Sequence, residues 1–195
     1  PMCSLTAGTV SVCARPAPHP AVCGVAGDWY RPRMAAGDDI TSDLVAEQAA
    51  LDAVVAASSA DQWALPTPSP GWSVADQIAH LTYFDTTAAL ALTDPGAFVA
   101  HRDGLGSMFA DADAAAVEHE TLGRFRAMTP ADLLAEWRER RADLAAAAAG
   151  AAPDARIEWY GPSMGLRSFL TARLMECWAH GQDVVDAVDA SGATR

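Results

Sequence analysis

Apolar residues first recur at helical spacing at Ile40, Leu44, Leu51 and Val55, which predicts a helix over roughly residues 40–58. The run LPTPSPGW, Leu65–Trp72, follows, and its three prolines bar a helix and force an extended connector. Ser73 with Asp76 three residues on is a capping-box pattern. A second helix therefore begins at Ser73 and runs to about Thr93, where Asp94-Pro95-Gly96 ends it. Residues 95–128 are less regular. Glycines break PGAFVAHRDGLGSMF and leave room for a short helix, whereas ADADAAAVEHETLGRFRAM reads as another helix. Thr129-Pro130-Ala131-Asp132 is a restart, with a Thr cap, Pro at the first helical position and Asp at the third, and its helix reaches about Ala149. APDARIEWYGPSMG is a connector with room for a brief strand pairing, and the last helix spans roughly residues 165–189. No second series of strands appears, so the core is all-α, and short links between long helices favour a four-helix bundle. There is no internal repeat.

At 100° per residue the last helix carries an apolar stripe of Leu166, Leu170, Leu174, Cys177, Trp178, Val185 and Val188. Arg173, Glu176 and His180 form a separate stripe beside it, flanked by Phe169 and Ala187. Four residues on a helix advance about 6 Å, so Glu176 and His180 are able to reach one ion. The helix from Ser73 buries Val74, Ile78, Leu81, Ala88 and Leu92, and His80 lies to one side with Asp76 and Tyr83 near it. Two helices thus each carry a polar group bordering the core, and in a bundle such borders converge on a cavity. By itself an E-x-x-x-H pair is usually a solvated face. His101 and His119 are alternative partners, and spacing does not choose among the histidines.

If two imidazoles and a carboxylate converge, the set suits Zn²⁺, Fe²⁺ or another divalent ion, with a coordination position left open for water or a thiol. Asp76 and Asp183 lie one turn from His80 and His180, placed to accept from imidazole N–H groups, although Asp76 is also the capping acid. Arg173 either binds a substrate carboxylate or pairs with Glu176. Tyr83 is a weaker candidate proton donor, for which packing is the plainer role. Asp85 falls on the apolar stripe, where it needs a partner that the sequence does not name. Cys177 reads as a small core residue.

The chain has 195 residues, 51% of them hydrophobic, which suits one domain with a core. All 13 basic residues are Arg, the mark of a genome biased toward G and C. The formal net charge of −12 argues against nucleic acid and against an anionic membrane surface. No apolar run approaches the ~20 residues of a membrane span. Residues 1–33 contain five prolines and little periodicity and read as a disordered extension upstream of a start at Met34. Cys13, His19 and Cys23 within it match no compact zinc module. The remainder has one cysteine, Cys177, which fits a reducing, cytoplasmic setting.

TPSPGWSVADQIAHL, Thr67–Leu81, resembles the N-terminal motif of the mycothiol-dependent maleylpyruvate isomerase-like family, part of the DinB-like metal-binding bundles. TARLMECWAHGQDVVDA, Thr171–Ala187, resembles that family's last bundle helix, so the likeness covers roughly residues 40–190. The resemblance implies a bundle holding a divalent metal, usually zinc, through His80, Glu176 and His180, and it selects His80 over His101 and His119. It implies mycothiol as the thiol cosubstrate, activated by the metal for isomerase or transferase chemistry. In the isomerase the implied path is thiolate addition to an activated double bond, rotation and elimination. Full-length relatives often continue into a smaller C-terminal α/β domain, whereas this chain ends at Arg195; on that footing residues 34–195 are the bundle without the second domain. The partners expected are a small thiol and a small substrate, with the oligomeric state left open. A non-catalytic metal-binding bundle or interaction module is the alternative, and a metal-hydroxide hydrolase has no sequence feature of its own.

Overall fold

A computed structural model describes residues 40–110 and 114–190. The expected extension at 1–33, with its Cys/His cluster and the start at Met34, lies outside the described residues. The elements are α1 (Ile40–Ala57), α2 (Ala60–Trp63), α3 (Val74–Thr93), α4 (Pro95–Ala110), α5 (Ala114–Arg126), α6 (Pro130–Gly150), β1 (Arg156–Ile157), β2 (Met164–Gly165) and α7 (Leu166–Ala190). Helices α1, α7, α3 and α6 pack in that cyclic order as a four-helix bundle, with α4 and α5 against α3. The all-α expectation holds. Among the described residues the one sheet is the antiparallel pair β1–β2, with Arg156 opposite Gly165 and Ile157 opposite Met164.

The helix starts follow local chemistry. Ser73 accepts from the Asp76 amide while the Asp76 carboxylate accepts from the Ser73 amide, and this capping box opens α3. Thr129 accepts from the Asp132 amide and Pro130 occupies the first turn of α6. Asp94-Pro95-Gly96 ends α3 as expected, but it also starts a helix longer than the short one expected. Asp94 Oδ1 accepts from the Ala97 amide at 3.0 Å, and α4 continues for 16 residues through Gly96, Gly104 and Gly106. Each interior glycine costs a helix roughly 1 kcal/mol, and burial of Phe98 and Leu105 offsets that. The four-residue α2, with its own capping box from Ser59 to Gln62, had no sequence expectation.

Packing also decides which way α7 faces. Phe169, Leu170, Arg173, Cys177 and Val184 are buried, whereas Trp178, expected on the apolar stripe, is 61% exposed. Apolar residues cover a wide arc of α7, and its neighbours α1 and α3 meet the side that includes Arg173. Burial of that arginine is tied to Asp85, whose partners are now evident. Asp85 Oδ1 accepts from Arg173 Nη2 at 3.0 Å, and Oδ2 accepts from Gln48 Nε2 at 3.0 Å and Trp137 Nε1 at 3.3 Å. One residue from each bundle helix therefore meets at a buried carboxylate. Burial pushes the Asp85 carboxyl upward against the pull of Arg173.

Candidate metal centre

The centre begins with a turn. In Ser69-Pro70-Gly71-Trp72 the Trp72 amide donates to the Ser69 carbonyl at 3.1 Å, and Gly71 has φ +81°. Pro at the second position and a positive-φ Gly at the third are the signature of a type II turn. Pro66 then bridges Ser73, closing the loop onto the start of α3. The loop lays Trp72 over the site, with its ring 5.1 Å from that of His80 and stacked 5.9 Å from that of His180. We expect Gly71→Ala to destabilise the fold by about 1–2 kcal/mol through its backbone angle, because no atom lies within 4 Å of an added Cβ. Thermal melting of the variant checks this, and an unchanged midpoint would contradict the turn.

His80 on α3 and Glu176 and His180 on α7 meet beneath Trp72. Their candidate ligand atoms all lie within 4.8 Å of one another. Glu176 Oε2 is 3.4 Å from His80 Nε2 and 3.2 Å from His180 Nε2. The imidazoles of His180 and His80 hold the Glu176 carboxyl well below the usual range. Burial lowers the His80 pKa, partly opposed by Glu176, which keeps a lone pair available.

The orientation of His180 follows from one amide. Gln77, fully buried, donates from Nε2 to Thr67 Oγ1 at 2.8 Å and to Asp183 Oδ2 at 3.0 Å. Its Oε1 is thereby turned to His180 Nδ1, 2.5 Å away. An amide oxygen only accepts, so Nδ1 carries a proton, and Nε2 is the nitrogen left to face Glu176 or an ion. Ser69 Oγ donates to the same Asp183 oxygen at 2.6 Å and fixes the far end of the chain.

Several expected site residues have partners of their own in the structure. Asp183 acts on His180 through Gln77 and makes no direct bond to it. Asp76 is taken up by the Ser73 cap and by Arg126 Nε at 2.6 Å; these bonds outweigh burial and lower its pKa. Arg173 pairs with Asp85 and not with Glu176. Tyr83 Oη is 2.9 Å from His101 Nε2 and also within hydrogen-bond reach of the Tyr160 hydroxyl, and burial raises its pKa. His119 is exposed on α5 beside Gly123. Cys177 is buried with its thiol pushed up to about 12, as suits a core residue. Gln77 and Trp72 were not singled out in the sequence. Gln77 sits one turn before His80, and Trp72 ends the proline-rich run, so position alone was the available signal.

A cavity of about 460 Å³ opens beside the cluster. His80 and Glu176 line one part of it, and Phe84, Trp159, Tyr160 and Arg173 another. The β1–β2 connection supplies Trp159, stacked 5.3 Å from Phe98 and edge-on 5.0 Å from Phe169. Trp72, Leu105 of α4 and Val117, Glu118 and Thr121 of α5 contribute the remaining lining. No helix among the described residues is long and apolar enough to cross a membrane.

A four-helix bundle with two histidines and a glutamate gathered beside an aromatic cavity defines a class of small-molecule site built between helices. The chain belongs to the mycothiol maleylpyruvate isomerase N-terminal domain family, whose model matches residues 44–185. It is 43% identical over 156 residues to an uncharacterized protein of Mycobacterium tuberculosis, found in two strains. The alignment covers 80% of this chain and 58% of those relatives, so the chain spans less than two thirds of their length. Among solved structures it is similar to the mycothiol-dependent maleylpyruvate isomerase (TM-score 0.58) and to a mutant of that enzyme (TM-score 0.57). Both are 12% identical, covering 74% of this chain and 59% of theirs, a likeness that shows the fold.

Proposed function

We propose that this bundle holds a divalent cation, zinc, through His80, Glu176 and His180, and that it serves an isomerase or transferase reaction of a low-molecular-weight thiol, mycothiol. The observation that carries the reading is the gathering of two imidazoles and one carboxylate within 4.8 Å at the edge of a cavity. The donors fit the ion. Two neutral nitrogen lone pairs and one anionic oxygen are a three-ligand set of the kind that leaves a position open. Zinc, when bound, supplies Lewis acidity that favours ionisation of a thiol near neutral pH.

The chain's own residues have distinct parts in this reading. Gln77 and Asp183 keep the His180 proton on Nδ1 and so present Nε2 as a ligand. Trp72 covers the imidazoles and excludes water from one side. Trp159, Phe84 and Tyr160 give the cavity flat apolar walls for the carbon skeleton of a substrate. Family membership supports mycothiol as the thiol, and the maleylpyruvate isomerase named for the solved relatives is one instance of the chemistry.

The test is a titration of mycothiol into zinc-loaded protein at neutral pH, following thiolate by its ultraviolet absorption. We expect thiolate to appear with the loaded protein and not with the metal-free protein. A zinc-loaded protein that leaves the thiol un-ionised and unbound would make the ion structural and the bundle a non-catalytic module.

A further inference from the structure

Two of the three large apolar side chains left exposed among the described residues stand together on α7: Met175 is 64% and Trp178 61% exposed. They belong to a face of the helix about 100° wide that also carries Thr171, Leu174, Gln182 and Val185. From Thr171 to Val185, about four turns, that face has no ionisable side chain, in a chain whose formal net charge is −12. Loss of charge together with Trp and Met is the composition of an interface centre. Beside the face a groove of about 210 Å³ runs between α7 and α1, with Trp178 and Val185 on one wall and Leu51 and Val54 on the other. Charged groups border it: Glu47 of α1, and Asp186 of α7, which accepts from Gln182 Nε2 at 2.6 Å.

We propose that this face of α7 binds the same face of a second copy of the chain, antiparallel, about a two-fold axis at Trp178. The spacing along the helix selects a second copy. Leu174 and Gln182 lie four residues either side of Trp178, Thr171 and Val185 seven, and Arg167 and Asp189 eleven. Four, seven and eleven residues are close to one, two and three turns, so all of them return to the Trp178 face. A two-fold pairing sets each residue against the one at equal distance on the other side. Leu174 then meets Gln182 of the second copy, Thr171 meets Val185, and at both ends exposed Arg167 meets exposed Asp189. At the axis the two Trp178 rings meet, where an offset stack suits them. Arg167 and Asp189 also have contacts within their own chain, so these pairs set the register while the apolar centre supplies the affinity. From Arg167 to Asp189 the face is roughly 33 Å long and about 20 Å across α7 and α1, of order 650 Å² per copy, between the ~400 Å² of chance contacts and the ~800 Å² of stable ones. His180 lies about 160° round the helix from Trp178, so the dimer leaves the metal centre uncovered.

The experiment is sedimentation velocity of the full chain over a concentration series at about 0.15 M salt, where a Debye length of about 8 Å limits the repulsion between two anionic chains. We expect a reversible dimer, half formed at roughly 10–100 micromolar. Trp178→Glu sets two like charges against each other at the axis and should weaken the dimer more than about a hundredfold, since a central aromatic anchor is lost from both copies. Because Trp178 is already exposed, that variant should melt with the parent and have the parent's zinc content. The register has its own check. Arg167→Glu and Asp189→Arg should each weaken the dimer several-fold, and the two together in one chain should restore it. A parent that stays monomeric across the series overturns the interface, and so does a dimer that Trp178→Glu leaves intact. A dimer that Trp178→Glu abolishes but the charge reversals do not touch overturns the two-fold register. Trp178→Glu that melts well below the parent would place this side chain against another part of its own chain, which also overturns the proposal.

Discussion

Purified protein loaded with zinc is expected to carry close to one ion per chain, and His80→Ala to carry almost none after dialysis. His80 is the one ligand contributed by α3, whereas Glu176 and His180 share α7. Removing it reduces a set drawn from two helices to an i, i+4 pair on one. Loss of a ligand from a set of three should weaken binding by at least about a hundredfold, given that structural zinc sites hold their ion with roughly 10–16 kcal/mol spread over their ligands. Gln77→Leu should act more gently, about 10–100-fold, because it frees the His180 ring without removing a donor. Elemental analysis and competition with a chromophoric chelator measure both. Equal metal content in His80→Ala and the parent would remove the assignment. Equal affinity in Gln77→Leu would remove the orienting role of the amide while leaving the ligands in place.

The second large effect concerns the bundle's centre. Asp85→Ala should lower the unfolding free energy by about 3–5 kcal/mol, because it strands a buried arginine charge. Domains of this kind have a total stability of roughly 5–15 kcal/mol, so the variant will be marginal. It also leaves Gln48 Nε2 and Trp137 Nε1 without their acceptor, and this adds to the loss. Replacing both charges together, as Asp85→Leu with Arg173→Met, should recover much of the deficit, because a buried ion pair is often no more stabilising than apolar side chains of similar size. Urea unfolding of the three proteins separates the cases. A loss under about 1 kcal/mol in Asp85→Ala would mean that the carboxylate does not tie the four helices together.

Much of the scaffold was legible locally. The cap at Ser73 and the restart at Thr129-Pro130 marked where α3 and α6 begin, because capping bonds close within three residues. The apolar stripe of α3 predicted the burial of Val74, Ile78, Leu81 and Ala88. The glycines of α4 misled the same kind of reasoning. Their cost is local, whereas the burial of Phe98 and Leu105 that overrides it depends on α3 and the β1–β2 connection. Trp178 misled it for a related reason. Apolar character on a helix says that a face exists, not which side of a wide face its neighbours take.

For the site, the chain by itself determined which side chains could serve: an i, i+4 Glu–His pair on α7, a His on α3 and an acid on an apolar stripe. Only the tertiary structure decided which of them meet. It put His80 beside Glu176 and sent His101 to Tyr83. It gave Asp76 to Arg126 and Arg173 to Asp85, and it set Gln77 between His180 and Asp183. Helix and turn signals act between residues a few positions apart, where backbone geometry fixes the distance. These pairings join residues 18 to 106 positions apart, and their distances are fixed only when the bundle closes.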